Sequence, residues 1–295
     1  MSLIEIKKQI GAVKNTRQIT KAMQLVAASK SLQFQKKAVS VRNFAFELLN
    51  ILENNISDFH SSTYLTPREE GKILFILYSS DKGLCGSLNP QMFRTLFQSK
   101  AWKDTPEADR MVITFGKKAK SFMEFNKIPL QDSFFNVRET MDHIEVFSYV
   151  EKILKYWRDG TVKEIYMVAP HYKNSLVFYP LVKKFLPLSP ETLDIHLGVH
   201  PESFGKSRAV TEEPYMIYEP NVSLVADQLL LNLVETMFIQ SLYELRAAEY
   251  SSRMIAMKSA TDNANNIINS KTLEFNKVRQ AVITQQIAEI AGASF

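Results

Sequence analysis

Both ends of the chain carry long runs of apolar residues at helical spacing. Residues 12–66 and residues 221–291 contain no proline or glycine, the two strongest breakers of regular structure. The first run follows a heptad rhythm at Ala27, Ser31, Phe34, Ala38, Val41, Ala45, Leu48 and Leu52. The second run follows the same rhythm at Met257, Thr261, Ala264, Ile268, Lys271, Phe275, Val278 and Val282. Seams of this length are typical of helices that pair as a coiled coil.

The length of the second run indicates helices that extend beyond a globular body. As one helix, its 71 residues would reach roughly 105 Å, whereas a compact globule of 295 residues is only about 50 Å across. Because the middle of the chain joins the two helices at one base, we predict that they pair antiparallel. We expect an N-terminal coiled-coil helix over residues 1–58 and a longer C-terminal one over residues 221–295. The alternative is two ordinary amphipathic helices on a globular core.

The middle of the chain is rich in proline and glycine, as expected for a domain with many turns. All 11 prolines and seven of the nine glycines lie between positions 67 and 220. Lys72–Tyr78, Met111–Phe115 and Glu164–Ala169 have the pattern of strands. Helical segments separate them at 90–100, 116–126 and 141–157, and residues 176–187 and 214–219 look extended. Strands that alternate with helices indicate an α/β fold class, with a largely parallel, Rossmann-like sheet over residues 67–220.

Positive charge is concentrated at the N-terminal end. Residues 1–42 contain nine basic side chains and one acid, a net charge of +8, so the other 253 residues are net −3. The basic residues are Lys7, Lys8, Lys14, Arg17, Lys21, Lys30, Lys36, Lys37 and Arg42. Such a segment favours a polyanionic partner, which could be a nucleic acid, an anionic membrane or an acidic protein loop. The plain structural alternative is a solvated helix face with long cationic side chains.

The C-terminal tip, by contrast, carries little charge. Glu289 is the only charged residue after Arg279, and most of residues 287–295 are apolar or small. A projecting helix end without charge predicts a sheath supplied by a partner. A frayed terminus is the alternative.

Composition excludes several classes of protein. The apolar share of 45% and the charged share of 23% are those of an average soluble protein. The longest clean apolar run, Ile73–Tyr78, is far shorter than the about 18 residues of a membrane span. Met1–Ile10 lacks the apolar core of a signal peptide. Cys85 is the only cysteine, which excludes an internal disulfide and a cysteine zinc cluster and favours a reducing compartment.

Candidate catalytic and ligand sites are weak. The turn Asp81–Asn89 follows a strand and precedes a helix, where phosphates often bind. It lacks the Gly-Lys-Ser/Thr ending of a P-loop and the three-glycine dinucleotide fingerprint, so a structural tight turn is favoured. No basic partner for Cys85 is indicated. His196 and His200 have the spacing of a helical zinc pair, but Gly198 and Pro201 make a helix there improbable.

Several blocks of the sequence together resemble the gamma subunit of F-type ATP synthases. Near the N-terminus these blocks are Val13–Thr16 (VKNT), Ile19–Met23 (ITKAM) and Val26–Lys30 (VAASK). Further along they are Ser80–Asn89 (SDKGLCGSLN), Tyr218–Pro220 (YEP), Ala260–Ala264 (ATDNA) and Asn276–Ala281 (NKVRQA). The blocks cover roughly the first 30 and last 50 residues plus the first strand and turn, whereas residues 90–215 match only in layout. Agreement of several blocks in order is specific.

The resemblance implies a non-catalytic rotor subunit. Gamma subunits look like a bent antiparallel coiled coil on an α/β foot, with the coil as an axle inside a ring of three alpha and three beta subunits. The foot rests on the ring of membrane c-subunits and binds the epsilon subunit. No cofactor, metal or nucleic acid is implied. The implied location is peripheral, on the cytoplasmic face of a bacterial-type membrane, with membrane association only through the complex.

Residues that match the family motifs receive expected roles from the resemblance. Lys21, Met23 and Arg253 would lie where loops of the beta subunit press on the axle. Arg279, Gln280 and Thr284 would hydrogen-bond a beta-subunit loop near the tip. Tyr218 and Glu219 would lie near the c-ring and the epsilon subunit.

Three positions depart from the family pattern. Gln286 replaces a common glutamate, so one anionic contact to the ring is in doubt, while Ala248 replaces a usual serine and Ser87 a usual glycine.

Two other classes of protein compete with the rotor interpretation. One competitor is a coiled-coil nucleic-acid-binding or tethering protein that uses the +8 segment, with strongly salt-dependent DNA binding. The other is an enzyme built on the α/β domain, with a saturable ligand at the Asp81–Asn89 turn.

Overall fold

The computed structural model describes residues 2–53, 62–189, 219 and 221–293. Two long helices, α1 (Leu3–Glu53) and α6 (Val222–Ala293), occupy the two ends of the chain. The elements between them are β1 (Lys72–Tyr78), α2 (Leu88–Gln98), α3 (Lys100–Asp104), β2 (Arg110–Phe115), α4 (Lys117–Phe125), β3 (Asp132–Phe134), α5 (His143–Arg158), β4 (Val162–Tyr172) and β5 (Phe178–Leu186). The predicted α/β fold class, with paired terminal helices and a central sheet, is confirmed.

The chain divides into two compact units, and each contains a part of both long helices. The first, which we name the helix-pair unit, comprises Met1–Ser29 and Arg253–Phe295. The second, the sheet unit, comprises Lys30–Ser252. The sequence-based boundaries 1–58, 67–220 and 221–295 divide the chain differently and stay a prediction.

The sheet unit is built on one five-stranded sheet with the order β3-β2-β1-β4-β5. The first four strands in this order run parallel to their neighbours, and β5 pairs antiparallel with β4 as a hairpin. In the centre, Ile73 lies opposite Arg110 and Tyr78 lies opposite Phe115. The central strand β1 is almost continuously apolar because both of its faces are covered.

Alternate residues of β1 face two different layers of helices, because successive side chains of a strand point to opposite faces. On one face, Phe75 meets Trp102 of α3 with ring centroids 4.9 Å apart. On the other face, Tyr78 stacks on Phe115 of β2, and both rings contact Phe238 of α6. The C-terminal helix therefore supplies part of the core of the sheet unit.

The two terminal helices also pack on each other inside the sheet unit. The Ser31 hydroxyl lies 2.6 Å from that of Ser251. One turn further along α1, Phe34 stacks on Tyr250 and also meets Tyr243. Residues later in α1 contact residues earlier in α6, so the two helices run antiparallel. The predicted seam positions Ser31, Phe34, Ala38, Ala45 and Leu48 are all buried.

Within the helix-pair unit the same antiparallel relation holds. The Thr20 and Thr261 hydroxyls lie 2.9 Å apart in a buried position, and Arg17 donates to Asn265 at 3.2 Å. The predicted seam positions Met257, Thr261, Ala264 and Ile268 are buried, whereas Lys271, Phe275, Val278 and Val282 are only half-buried.

The strand pattern was predicted well in the centre of the sheet and poorly at its edge. The predicted strand Lys72–Tyr78 has the bounds of β1, and β2 begins one residue before its predicted start. The three-residue edge strand β3 was not predicted. The extended segment predicted at 214–219 lies outside the described residues except for Glu219, and so do His196 and His200.

Among the residues that the structure describes, one helix is long and apolar enough to cross a membrane by length and composition alone. It is Val222–Ala291, whose most apolar stretch of 18 residues has a mean hydropathy of 1.5 and is 44% buried inside the molecule. Many soluble core helices pass the same test. Because Leu233, Met237 and Phe238 of this helix lie in the core of the sheet unit, packing accounts for its apolar character.

Candidate partner interface

A shallow groove of about 570 Å³ runs along the helix-pair unit. Its walls are Arg17, Gln18, Lys21, Ala22 and Leu25 of α1 and Thr261, Asp262 and Asn265 of α6. Arg17 is held across the groove by Asn265, while the Lys21 ammonium donates to Gln24 on its own helix at 3.3 Å. Lys21, Leu25 and Asp262 are exposed, so the groove presents a cation, an apolar side chain and a carboxylate to solvent.

The structure places the other predicted site residues in different settings. Met23 is half-buried on α1, while Arg279, Gln280 and Thr284 are exposed along two turns of α6. Glu219 is exposed, and Tyr218 lies outside the described residues. Arg253 is only 7% exposed, so its side chain reaches a partner only if its neighbours move.

The predicted residues of the helix-pair unit form two separate groups. Lys21 follows Thr20, which contacts Thr261. Arg279 lies 18 residues beyond Thr261 on the same helix, a distance of about 27 Å. The resemblance assigned one group to the neck of the axle and the other to the region near its tip, and this assignment stays a prediction.

The low-charge tip that the sequence singled out, with Ile287 and Ile290 in it, extends in the structure into an apolar stripe that begins at Ile283. Ile283, Ile287 and Ile290 have the spacing of one helix face, and all three are exposed. Every described side chain from Ile283 to Ala291 is exposed. The signal was visible as the i, i+4, i+7 spacing of three isoleucines in a stretch with a single charge. A stripe of this kind marks a surface that a partner covers.

Seven of the nine basic residues of the N-terminal segment fall into two groups. Lys7, Lys8, Lys14 and Lys21 are exposed in the helix-pair unit. In the sheet unit, Lys30 pairs with Glu139 at 2.6 Å and Arg42 with Glu244 at 2.5 Å, while Lys37 donates to Thr140. The charge that the sequence assigned to a polyanionic partner is therefore partly used inside the sheet unit.

In the turn Asp81–Asn89, the side chains of Asp81 and Asn89 hydrogen-bond to other groups of the protein. The Asp81 carboxylate accepts from the backbone N–H groups of Lys117 (3.0 Å) and Asn136 (3.2 Å). Asn89 bonds both the backbone N–H and the hydroxyl of Ser80 and donates to the Cys85 sulfur at 3.3 Å. Cys85 is buried. This geometry favours the structural interpretation of the turn over a phosphate site.

A buried cluster of charges in the sheet unit was missed by sequence reasoning. Glu244 of α6 is 1% exposed and meets Arg42 of α1 and His171 of β4. Burial by itself raises the pKa of Glu244, but the charge of Lys183 and the bond with His171 outweigh it and lower that pKa to about 2. Burial lowers the pKa of Lys183 despite the attraction of Glu244. The cluster joins four elements that are distant in sequence, so no local pattern could reveal it.

In the parts of the chain that the structure describes, no group of three or more His, Cys, Asp or Glu side chains is placed to hold a metal ion. Lys21, Arg279, Gln280 and Thr284 lie on exposed surfaces of the two long helices, whereas Arg253 is buried.

Comparison with known proteins decides the family. A family model described as ATP synthase matches residues 2–294. An ATP synthase gamma chain of Glaesserella parasuis is 34% identical over 293 residues, which is 98% of each chain. This chain belongs to the ATP synthase gamma family. Another member of the gamma family, from Opitutus terrae, is 35% identical over 296 residues, which is 99% of this chain and 97% of the relative.

Chains from solved ATP synthase structures have the same fold. The rotor of the Euglena gracilis mitochondrial ATP synthase matches with a TM-score of 0.61 and 15% identity, over 95% of this chain and 98% of that one. The central stalk of the Tetrahymena thermophila mitochondrial enzyme matches with a TM-score of 0.55 and 22% identity, over 82% and 99%. At these sequence identities the likeness establishes the fold but not the roles of individual residues.

Proposed function

We propose that this chain is the central rotor subunit of a membrane ion-driven F-type ATP synthase. In this role it couples rotation of the c-ring to conformational cycling of the alpha/beta catalytic ring. The observation that carries the proposal is the exposed apolar stripe of Ile283, Ile287 and Ile290 at the low-charge end of α6. An apolar tip suits an axle end, because few directional bonds hold it to a sleeve of partner side chains as it turns.

The helix-pair unit supplies the surface that would meet the alpha and beta subunits. Leu25 and Leu273 are 60% and 72% exposed there, which is costly for isolated helices in water but favourable against an apolar sleeve. Lys21 would meet an acidic loop of the beta subunit, with Met23 beside it on α1. Near the tip, Arg279, Gln280 and Thr284 would hydrogen-bond a beta-subunit loop.

Arg253 would act from inside the helix pair. Its low exposure supports a role in holding the packing against which a beta-subunit loop presses, with its side chain contacting that loop only after local rearrangement. Away from the alpha/beta ring, Tyr218 and Glu219 would contact the epsilon subunit and the c-ring. The exposed position of Glu219 supports its part of this proposal.

The chain itself would make and break no bond. Rotation would present different faces of an asymmetric helix pair to the three catalytic sites of the ring. Each site would then shift between conformations because the contact energy differs from face to face. The chain would be a peripheral subunit held at the membrane through the complex, on the cytoplasmic face of a bacterial-type membrane.

A reconstitution assay tests the proposal. Purified alpha and beta subunits from the same source are mixed with the chain, and complex size and ATP hydrolysis are recorded. We expect a stable complex with multi-site hydrolysis. The matched control is a chain that lacks residues 287–295, which removes part of the stripe and should weaken the complex while leaving the sheet unit folded.

Two results would contradict the rotor function. One is the failure of the full chain to form a complex with matched alpha and beta subunits. The other is tight, salt-dependent binding of duplex DNA by the chain at moderate salt, which would favour the nucleic-acid-binding alternative through the exposed lysines of α1.

A further inference from the structure

The loop between β3 and α5, residues 135–142, contacts both terminal helices within the sheet unit. Its central contact is the Glu139 carboxylate. The Lys30 ammonium of α1 donates to one of its oxygens at 2.6 Å, and the Tyr250 hydroxyl of α6 donates to the other. A single side chain thus bridges the two helices.

Two flanking contacts give each helix a second point of attachment to the same loop. Lys37 of α1 donates to the Thr140 hydroxyl at 2.7 Å. Arg246 of α6 donates to the carbonyl of Val137 at 2.9 Å. The two points are seven residues apart on α1 and four apart on α6, so each helix is held against rotation about its own axis as well as against sliding.

The loop is itself fixed to the sheet. Val137 and Met141 are buried, and the Asn136 N–H donates to the Asp81 carboxylate in the turn after β1. At its far end, Asp142 accepts from the N–H of Glu145 at 2.8 Å and caps α5. A loop held at both ends can transmit force from the sheet to the helices.

We propose that the 135–142 loop is a clamp that transmits torque between the sheet and the two terminal helices, with Glu139 as its positioning residue. This inference rests on the proposed rotor function. In the sequence, Lys30 is the first residue of the sheet unit and Tyr250 lies two residues before its end. The clamp therefore contacts α1 at the first residue of the sheet unit and α6 two residues before the sheet unit ends.

The charge state of the clamp suits a permanent attachment. Burial raises the pKa of Glu139, but the hydrogen bonds from Lys30 and Tyr250 outweigh it and lower that pKa below its ordinary value. Glu139 therefore stays ionised at neutral pH and accepts from both helices at once. An exposed ion pair of this type stabilises a fold little, so the effect of the clamp is expected in torsional stiffness more than in stability.

The test uses the assembled alpha/beta ring with this chain as its axle. The ring is fixed to a surface, a bead is attached to the sheet unit, and the spread of bead angles is recorded while the rotor waits for ATP. In Glu139→Ala the variance should rise by up to about twofold, since two of the four side-chain hydrogen bonds described between loop and helices are lost while the core packing of both helices stays. Glu139→Gln keeps the size of the side chain and should give a smaller rise.

Two further variants separate the clamp from a general effect of mutation. Glu124→Ala is the matched control, because Glu124 is exposed and pairs only with Lys120 on its own helix; its variance should equal that of the unmodified chain. The charge reversal Lys30→Glu with Glu139→Lys should restore most of the stiffness. A structural defect alone would not be rescued by this exchange.

The outcomes distinguish the clamp from the rotor function. If the unmodified chain rotates and Glu139→Ala and Glu139→Gln both show its angular variance, the clamp is overturned and the rotor function stands. If the unmodified chain does not rotate in the ring, both are overturned. The clamp is supported if Glu139→Ala raises the angular variance while the double variant Lys30→Glu with Glu139→Lys has a variance close to that of the unmodified chain.

Discussion

The two units hold the same pair of helices in different ways. In the sheet unit, α1 and α6 are fixed by stacked aromatic rings, by Glu244 with its cationic neighbours and by the loop that carries Glu139. In the helix-pair unit, the contacts between helices are small and apolar side chains, the hydroxyl pair of Thr20 and Thr261 and the hydrogen bond from Arg17 to Asn265. Both units expose large apolar side chains, but these lie closer together along the helix-pair unit, which has fewer buried contacts of its own.

This difference indicates where the chain itself fixes the packing of its two long helices. Buried charges and stacked rings fix α1 and α6 within the sheet unit. The helix-pair unit exposes Leu25, Leu273 and Ile290, which a partner would cover under the proposed function. The mutations below should therefore change folding in the sheet unit and assembly in the helix-pair unit.

The largest expected effect on folding is at Phe238. Its fully buried ring packs on Tyr78, Phe115 and Tyr149. Phe238→Ala should lower the free energy of unfolding by about 3–5 kcal/mol. Urea unfolding followed by circular dichroism measures it. Leu273→Ala, in the other unit, is the matched control and should leave the unfolding midpoint almost unchanged while it weakens the complex. Equal losses of stability in the two variants would contradict the comparison.

The next largest effect is expected at Glu244. Glu244→Gln keeps the shape but leaves buried Lys183 and half-buried Arg42 without the negative charge they face. The loss of unfolding free energy should be about 3–5 kcal/mol at most, the range for breaking a buried pair. Glu274→Gln removes a carboxylate from the half-exposed pair with Lys271 and should cost less than about 1 kcal/mol. The account fails here if both variants unfold at the same urea concentration.

The same carboxylate predicts how stability depends on pH. The pKa of Glu244 is lowered from 4.5 to about 2 in the folded chain, so its ionised form stabilises the fold at pH values above 4.5. This contribution should be lost progressively as the pH falls from 4.5 towards 2, because the unfolded chain then binds more protons than the folded one. Thermal melting between pH 2 and pH 6 measures it. In Glu244→Gln this part of the pH dependence should disappear, and an unchanged profile would refute the assignment.

A smaller effect is expected from the hydroxyl pair of the helix-pair unit. Thr20→Val and Thr261→Val each remove the hydrogen bond between the two hydroxyls and should each cost about 1 kcal/mol, while the remaining hydroxyl keeps the backbone carbonyl of Arg17 or Met257 as its acceptor. The double variant should cost less than the sum, since both single variants lose the same bond. A double-mutant cycle from urea unfolding gives the coupling. Strict additivity would show that the two hydroxyls do not interact.

The smallest effect on folding is expected at the tip. Deletion of residues 287–295 removes exposed side chains such as Ile287 and Ile290 and should leave the unfolding of the chain unchanged. The same deletion should reduce the activity of the assembled enzyme. Loss of the fold after this deletion would contradict the division between the two units.

Sequence reasoning succeeded where the pattern is local. The heptad positions Ser31, Phe34 and Ala38 are buried, and the strand Lys72–Tyr78 was predicted with its observed bounds. Such patterns depend on periodicity along one element, and periodicity is visible in a single sequence.

It failed where chemistry depends on residues far apart in the chain. Arg42 looked like part of a surface that seeks an acidic partner, yet it meets Glu244, 202 residues away. Glu139 gave no signal, because its two partners, Lys30 and Tyr250, lie 109 and 111 residues away. The short edge strand β3 has too few residues to show alternation.

The most direct test of the comparison is side-chain labelling of the chain alone and in complex with alpha and beta subunits. A carbene reagent that labels exposed side chains is applied in both states, and peptides are compared by mass spectrometry. We predict that labelling at Leu25, Leu273 and Ile290 falls strongly in the complex, while Phe125, which is exposed in the sheet unit, keeps its labelling. Equal labelling of the three helix-pair residues in both states would contradict the central claim that this unit is built for an enclosing partner.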